Sequence, residues 1–323
     1  MAHRRPILSD QPFRVLSLNG GGVRALFQAH FLNCLSKMPG IGCFWENFDL
    51  IIGTSAGAIV AAALWLKKAP EEIADLFENV GKDAFPQPLW NGLRITLRLA
   101  ATGKSFSNAP LKKLLTQVYG ADAALGDFEK PILAITATEI ENSRIRVFSP
   151  ITKPQDRELR VVDVVMASAA LPGVFSDYPI FDSELDRPRH YIDGCLWGNA
   201  PLLAATALAL KNGKTSVANL RVVSIGTAGH PFSTTSQHYR KLTVNSAPFF
   251  HCLFNMAYST AERVSTAVVD CLLDPNNVLH IDGTLDRIIK AWEIKAARRE
   301  LPRLAQDCAN DPEMIAKLRR LIG

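Results

Sequence analysis

The stretch Asp49-Leu50-Ile51-Ile52-Gly53-Thr54-Ser55-Ala56-Gly57, followed by the alanine-rich run Ala58 to Leu66, decides how this chain folds. Its first part is an apolar run short enough for a buried strand, its middle is a glycine-bounded turn, and its last part has helix-forming composition. The same order occurs once before. Arg14 to Leu18 (RVLSL) reads as a strand, Asn19-Gly20-Gly21-Gly22 breaks it, and Val23 to Leu35 resumes with Leu26, Phe27, Phe31 and Leu35 at helical spacing. Strand, turn and helix in alternation imply a mostly parallel sheet with helices on its faces.

Working outward, further strands are expected at Pro131 to Thr138, Arg144 to Phe148 and Arg221 to Ile225, with helices near 70–80, 110–119, 161–169 and 200–211. From about Ser233 the β signals thin out and the chain turns helical and polar through Asp286 to Gly323. The composition, 48% apolar and 21% charged over 323 residues, suits a globular protein with a real core and excludes disordered and fibrous classes. A formal charge of +5 is too small to argue for a nucleic acid polymer as partner. No apolar run reaches the roughly eighteen residues of a spanning helix, and the basic N-terminus lacks an apolar stretch before Asp10, which argues against a secretory signal. The six cysteines show no metal-type spacing and read as reduced thiols of a cytoplasmic protein.

Gly53-Thr54-Ser55-Ala56-Gly57 is a G-x-S-x-G between a strand and a helix, the setting of a nucleophile elbow. So sharp a turn requires Gly53 and Gly57 to lack side chains, and it leaves Ser55 at a helix N-terminus, where the dipole favours an alkoxide. Gly20, Gly21 and Gly22, at the other strand-to-helix turn, leave backbone N–H groups open, as an oxyanion hole requires. Gly20 to Ala25 also satisfies G-x-G-x-x-A, but the acidic residue that would hold a ribose is misplaced, since Asp49 starts its strand. Of seven histidines, His190 and His230 sit near strand ends, while His30 lies on an apolar helix face. No acid between Ser55 and these histidines marks a Ser, acid, His order. Asp193-Gly194, at the end of His190-Tyr191-Ile192, is by itself a common turn.

Together these residues resemble the patatin-like phospholipases, which have a G-G-G-x-R/K-G loop, a G-T-S-A/T-G elbow and an aspartate in D-G-G or D-G-A. Here those correspond to Gly20-Gly21-Gly22-Val23-Arg24-Ala25, Gly53 to Gly57 and Asp193-Gly194-Cys195, with Ala25 and Cys195 departing from the pattern. Ala167 to Phe175 (ASAALPGVF) and Ser224-Ile225-Gly226-Thr227 are similar to the family as well. The resemblance covers about Phe13 to Thr227. It implies a three-layer α/β sandwich with a catalytic domain over 13–227; the helical region over 228–323, read from its own residues and lying outside the resemblance, is expected to pack on it as lid, regulatory element or oligomerisation surface. It further implies a serine lipid acyl hydrolase without cofactor or metal. Asp193 takes the Ser55 proton directly, Gly20, Gly21 and Gly22 form the oxyanion hole, and Gly194, Gly53, Gly57 and Arg24 support the motifs.

The implied substrate is a membrane glycerophospholipid, met at the inner face of the membrane. Between Ala84 and Ala121 there are five basic residues and no acidic one, and Trp90 interleaves with Arg94 and Arg98 as an interfacial helix would. The same spacing also fits a stripe packed on the core. Some bacterial members of the family are anti-phage effectors activated by a cyclic dinucleotide, and such an activator and a second copy of the chain are the partners the resemblance suggests. Two other classes stay open: a Ser-His-Asp esterase using His190, His230 or His280, and a non-catalytic nucleotide- or membrane-binding module.

Overall fold

The strand sequences are apolar at consecutive positions because both faces of the sheet are covered. In the computed structural model, which describes residues 11–79, 107–212, 215–229, 247–287, 289 and 293–323, neighbouring residues of one strand enter different cores. Leu16, Ile51, Leu133 and Val223 join one cluster, whereas Val15, Leu50, Ala134 and Val222 join the other. Alternation with period two, apolar on both faces, is what a central strand between two helix layers needs.

The strands are β1 (Phe13–Leu18), β2 (Leu50–Gly53), β3 (Ile132–Glu139), β4 (Arg144–Phe148), β5 (Tyr178–Asp182), β6 (Arg187–Asp193), β7 (Leu220–Ile225) and β8 (Val278–Ile281). The helices are α1 (Leu26–Ser36), α2 (Ala56–Trp65), α3 (Pro70–Asn79), α4 (Ala109–Tyr119), α5 (Val161–Ser168), the single turn α6 (Cys195–Gly198), α7 (Leu202–Lys211), α8 (Ala247–Leu272), α9 (Ile294–Ala309) and α10 (Pro312–Ile322). The described strands form one eight-stranded sheet in the order β5-β6-β3-β2-β1-β7-β8, with β4 pairing β3. The run β3-β2-β1-β7-β8 is parallel, while β4 and β6 pair antiparallel with β3, and β5 with β6. Helices α1, α2, α3 and α9 cover one face through Phe27, Phe31, Trp65, Phe77 and Leu301. Helices α7 and α8 cover the other through Leu202, Ala205 and Val269.

The expected helices and strands are present, together with three further strands: β6, anticipated only as a strand end before Asp193, and β5 and β8, which were not anticipated. β5 is an edge strand of alternating burial, and β8 is a four-residue strand inside the region read as helical. Four residues are too few for the alternation to stand out from a neighbouring helical pattern. The pairing Val223↔Leu279 and Ile225↔Ile281 ties the chain beyond residue 227 into the same sheet.

Register sets where the site lies. Leu18 pairs with both Gly53 and Ile225, so β1, β2 and β7 end at one level. Ligands in open α/β sheets gather outside such carboxyl ends. β6 runs the opposite way beside β3 and stops with Asp193 opposite Ala137, two residues beyond Ile135, the partner of Gly53. The antiparallel return thus brings a carboxylate to the height of the elbow.

Candidate active site

Ser55 sits at φ 55° and ψ −122°, immediately before α2. A positive φ on a residue with a Cβ stores on the order of 1–3 kcal/mol and persists only where the surroundings enforce it. Here they do. A Cβ on Gly53 would collide with the backbone of Gly57, and one on Gly57 with the carbonyls of Leu18 and Asn19. The Ser55 N–H donates to Ser168 Oγ at 2.8 Å, and Ser168 is fully buried at the end of α5. Thr54 Oγ1 lies 2.7 Å from Thr136 Oγ1 and donates to the Gly198 carbonyl. The elbow is therefore gripped from β1, β3, α5 and α6.

Asp193 is wholly buried. Its N–H donates to the Ala170 carbonyl at 3.0 Å and its own carbonyl accepts from Thr138 Oγ1 at 3.1 Å, which fixes the end of β6. Oδ1 accepts the Cys195 N–H at 2.8 Å, whereas Oδ2 has no hydrogen-bond partner. Burial pushes the carboxyl up to about 6, against the downward pull of the Ser55 side chain and then of the Cys195 amide. The Ser55 hydroxyl is thus close enough to act on Asp193 without a bond of ordinary geometry to Oδ2, as in many unliganded sites, where such bonds tighten with substrate. A Cβ on Gly194 would strike Thr136 Oγ1, so the residue after the aspartate has to be glycine.

The glycine loop supplies fewer donors than its sequence suggests. The Gly20 N–H is taken by the Asn199 carbonyl at 3.0 Å, because residues 199 and 20 meet edge to edge above β1. Gly20 is therefore corrected from oxyanion donor to anchor of the loop. The N–H groups of Gly21 and Gly22 have no partner among the described residues. Gly21 is extended, and a Cβ there would overlap Thr227, while Gly22 has φ 60°. The loop is held by its carbonyls: Gly20 O accepts from Thr227 Oγ1 at 3.2 Å and from Tyr258 Oη at 3.3 Å, and Gly21 O accepts from Arg24 Nε at 3.3 Å. The Arg24 side chain thus contacts the loop backbone.

Residues 16–206, more than half of the chain, match the model of the patatin-like phospholipase family. The chain belongs to that family. It is 28% identical over 238 residues to the cGAMP-activated phospholipase of Vibrio cholerae, a match covering 68% of this chain and 65% of that protein. It is 33% identical over 228 residues to the cGAMP-activated phospholipase of Pseudomonas aeruginosa, covering 67% and 62%. To the cUMP-AMP-activated phospholipase of Escherichia coli it is 27% identical over 226 residues, covering 69% and 67%. The matched part spans 65% and 62%, less than two thirds, of the length of the Vibrio and Pseudomonas relatives.

Within this patatin-like fold two of the described histidines pair with aspartates away from Ser55. His190 Nδ1 pairs with Asp177 at 2.5 Å and His280 Nε2 with Asp270 at 2.8 Å, both at the surface. His30, on α1, is half-buried and its pKa is lowered by that burial. His230, Trp90, Arg94 and Arg98 lie outside the described residues. Lys112, from the same basic stretch, is engaged by Asp163 at 3.1 Å and lies over the Tyr178 ring. Among the described residues no group of three or more His, Cys, Asp or Glu side chains is placed to hold a metal, and no helix is long and apolar enough to cross a membrane.

Sequence reasoning missed Asn199, Tyr258 and Glu262, and it gave Ser168 no role beyond its place in Ala167 to Phe175. Replacing Ser168 by Ala leaves the Ser55 N–H without its acceptor. We expect about tenfold slower ester hydrolysis, or roughly 1.4 kcal/mol of barrier, with a similar KM. Steady-state kinetics on a soluble ester would reveal it, and an unchanged kcat would show that the elbow holds its geometry alone.

Proposed function

We propose that this chain is a serine lipid acyl hydrolase that cleaves carboxylic esters of membrane glycerophospholipids with Ser55 as nucleophile and Asp193 as base. The observation carrying this reading is the Asp193 carboxyl itself. It is buried, one oxygen is held by the Cys195 amide, and the other is left unpartnered beside a strained serine. A carboxyl raised to about 6 is deprotonated at neutral pH and more basic than a solvated aspartate, which suits it to take a serine proton.

In the first step Ser55 Oγ attacks the ester carbon while its proton passes to Asp193 Oδ2. The carbonyl π pair moves onto oxygen, and the N–H groups of Gly21 and Gly22, with the N-terminus of α2, stabilise the oxyanion. Collapse expels the glycerol oxygen, which takes the proton from Asp193, leaving an acyl ester on Ser55. A water molecule, deprotonated by Asp193, then releases the fatty acid and restores the serine. Each donor aimed at the oxyanion is worth about 3 kcal/mol.

The relatives' names support a further element, activation by a cyclic dinucleotide, and an anti-phage effector role is proposed from the family resemblance alone. A peripheral cytoplasmic enzyme that meets the inner leaflet only when switched on is the accompanying proposal. In this reading residues 13–227 hold the reacting groups, and residues 228–323 support and regulate them.

A fluorophosphonate probe and phosphatidylglycerol vesicles test the proposal, each with and without cGAMP or cUMP-AMP. Expected are a covalent adduct on Ser55, free fatty acid from the vesicles, and a rate that rises with one of the nucleotides. The variants His190→Ala and His280→Ala should keep rates within about threefold of the parent, since neither ring is paired toward the site. A hundredfold loss in either would favour the Ser-His-Asp esterase. An unlabelled Ser55 with both nucleotides present would favour the binding module, and a constitutive rate indifferent to both would remove the activator.

A further inference from the structure

Helix α8 reaches the glycine loop through two residues one helical turn apart. Tyr258 Oη donates to the Gly20 carbonyl at 3.3 Å, and burial keeps that phenol protonated, its pKa pushed well up. One turn on, the Glu262 carboxylate accepts from two side-chain amides at once, Asn19 Nδ2 on Oε1 at 3.2 Å and Asn199 Nδ2 on Oε2 at 3.4 Å. Those two asparagines bracket the loop. Asn19 is the residue before Gly20, and Asn199 is the residue whose carbonyl takes the Gly20 N–H. The backbone of Asn19 is fixed independently, because Gln28 Nε2 donates to both the Asn19 and Ile225 carbonyls. Asn199 Oδ1 is buried without a partner and lies where a Cβ on Gly20 would be, next to Ser55. The orientation of that amide is therefore set from its other end, by Glu262.

We infer that Glu262 is a positioning residue for the oxyanion loop. Its acceptor-only carboxylate turns the NH2 groups of Asn19 and Asn199 toward α8, and so aims the Gly21 and Gly22 N–H groups at the oxyanion. This inference deepens the proposed hydrolase mechanism and rests on it. A carboxylate is required because it alone presents acceptors to both amides. Glutamine of the same size must confront one of them with a donor, and relief by flipping Asn199 would turn its NH2 group toward Gly20. Glu262 is half-buried; burial raises its carboxyl, and the Asn199 and Asn19 amides together with the Arg24 and Arg263 charges pull it back toward the ionised form. An anion held in place in this way has a reason beyond helix packing. Tyr258, Glu262 and Arg24 also line a cavity of about 440 Å³ between α8 and the loop, so α8 touches the loop through these polar groups rather than through a packed apolar seam.

The test compares Glu262→Gln, which keeps the packing, with Glu262→Ala. Both are assayed for vesicle hydrolysis and for the second-order rate of fluorophosphonate labelling, beside the melting temperature. Misaimed donors act on the transition state, so kcat and the labelling rate should fall together by about ten- to hundredfold in Glu262→Gln, while KM changes less than about twofold. Adding Asn199→Ala to Glu262→Gln should give little further loss, since the two act as one unit. Labelling and kcat within threefold of the parent in both variants would overturn the inference, as would a loss confined to KM or to melting temperature. A parent protein that is not labelled at all would instead count against the hydrolase reading.

Discussion

Replacing Ser55 by Ala is expected to abolish fatty acid release, lowering kcat by at least about 10⁴-fold, and to remove the fluorophosphonate adduct entirely. The fold should be unaffected. The serine side chain makes no contact that holds the elbow, whose grip comes from the Ser55 N–H on Ser168, from Thr54 and from the close approach of Gly53 to Gly57. The glycine loop and the N-terminus of α2 remain, so a residual rate above that of water is expected from oxyanion stabilisation alone. Mass spectrometry of the probe-treated protein and a calorimetric scan distinguish loss of the nucleophile from loss of the fold. A variant that retained tenfold-reduced turnover would place the nucleophile elsewhere.

The second large effect is expected of Asp193→Asn. Asparagine fits the cavity and can still accept the Cys195 N–H, but it cannot take a proton, so kcat should fall about 10³- to 10⁴-fold. The parent enzyme should show a kcat/KM that rises with pH through about 6 and then levels, following the ionisation of this carboxyl. The residual activity of the variant should lack that limb.

Stability moves in the opposite direction to activity. The native carboxyl titrates near 6 against 3.8 for an ordinary aspartate, so the folded state binds more protons in between. Stability is then greatest below the lower value and declines as pH rises toward the upper one, a loss of about 3 kcal/mol for so large a shift. Asp282, also raised to about 6 by burial, adds a slope of the same sign. Asp193→Asn should therefore melt higher than the parent at pH 7.5, with the difference closing near pH 4. Equal melting temperatures at both pH values would mean that the carboxylate is compensated in some other way.

What was legible in the sequence follows the range of the interactions involved. The elbow could be read because the close approach that demands its two glycines, Gly53 against Gly57, is local, although its grip from Leu18, Thr136, Ser168 and Gly198 is long-range, and the two-sided core could be read because consecutive apolar residues mark a covered strand. Asp193 needed the resemblance, since an Asp-Gly pair alone describes any turn and its burial depends on β3 and α5 closing over it. The role of Gly20 was misread for a related reason: whether its N–H is free depends on where residue 199 arrives, 179 positions later in the chain. Tyr258 and Glu262 left no local mark, because they reach the loop from 238 and 243 residues away. Strand β8 was hidden by its length.

The position of β8 bears on how the protein can be cut. The family match ends at residue 206, before β7 and β8 have been added, although β7 lies directly beside β1 at the centre of the sheet. A fragment ending at residue 227 would keep β7, whose Leu220, Val222, Val223 and Ile225 are fully buried, with nothing along its outer side. Such an open, apolar strand margin is a template on which another chain can add itself. In the chain as described that margin is closed by the four residues of β8, the outermost of the described strands on this side, whose exposed His280 is paired with Asp270 and makes a poor docking line. The stretch beyond the catalytic motifs therefore works as a selvedge, finishing the sheet so that it does not fray into its neighbours.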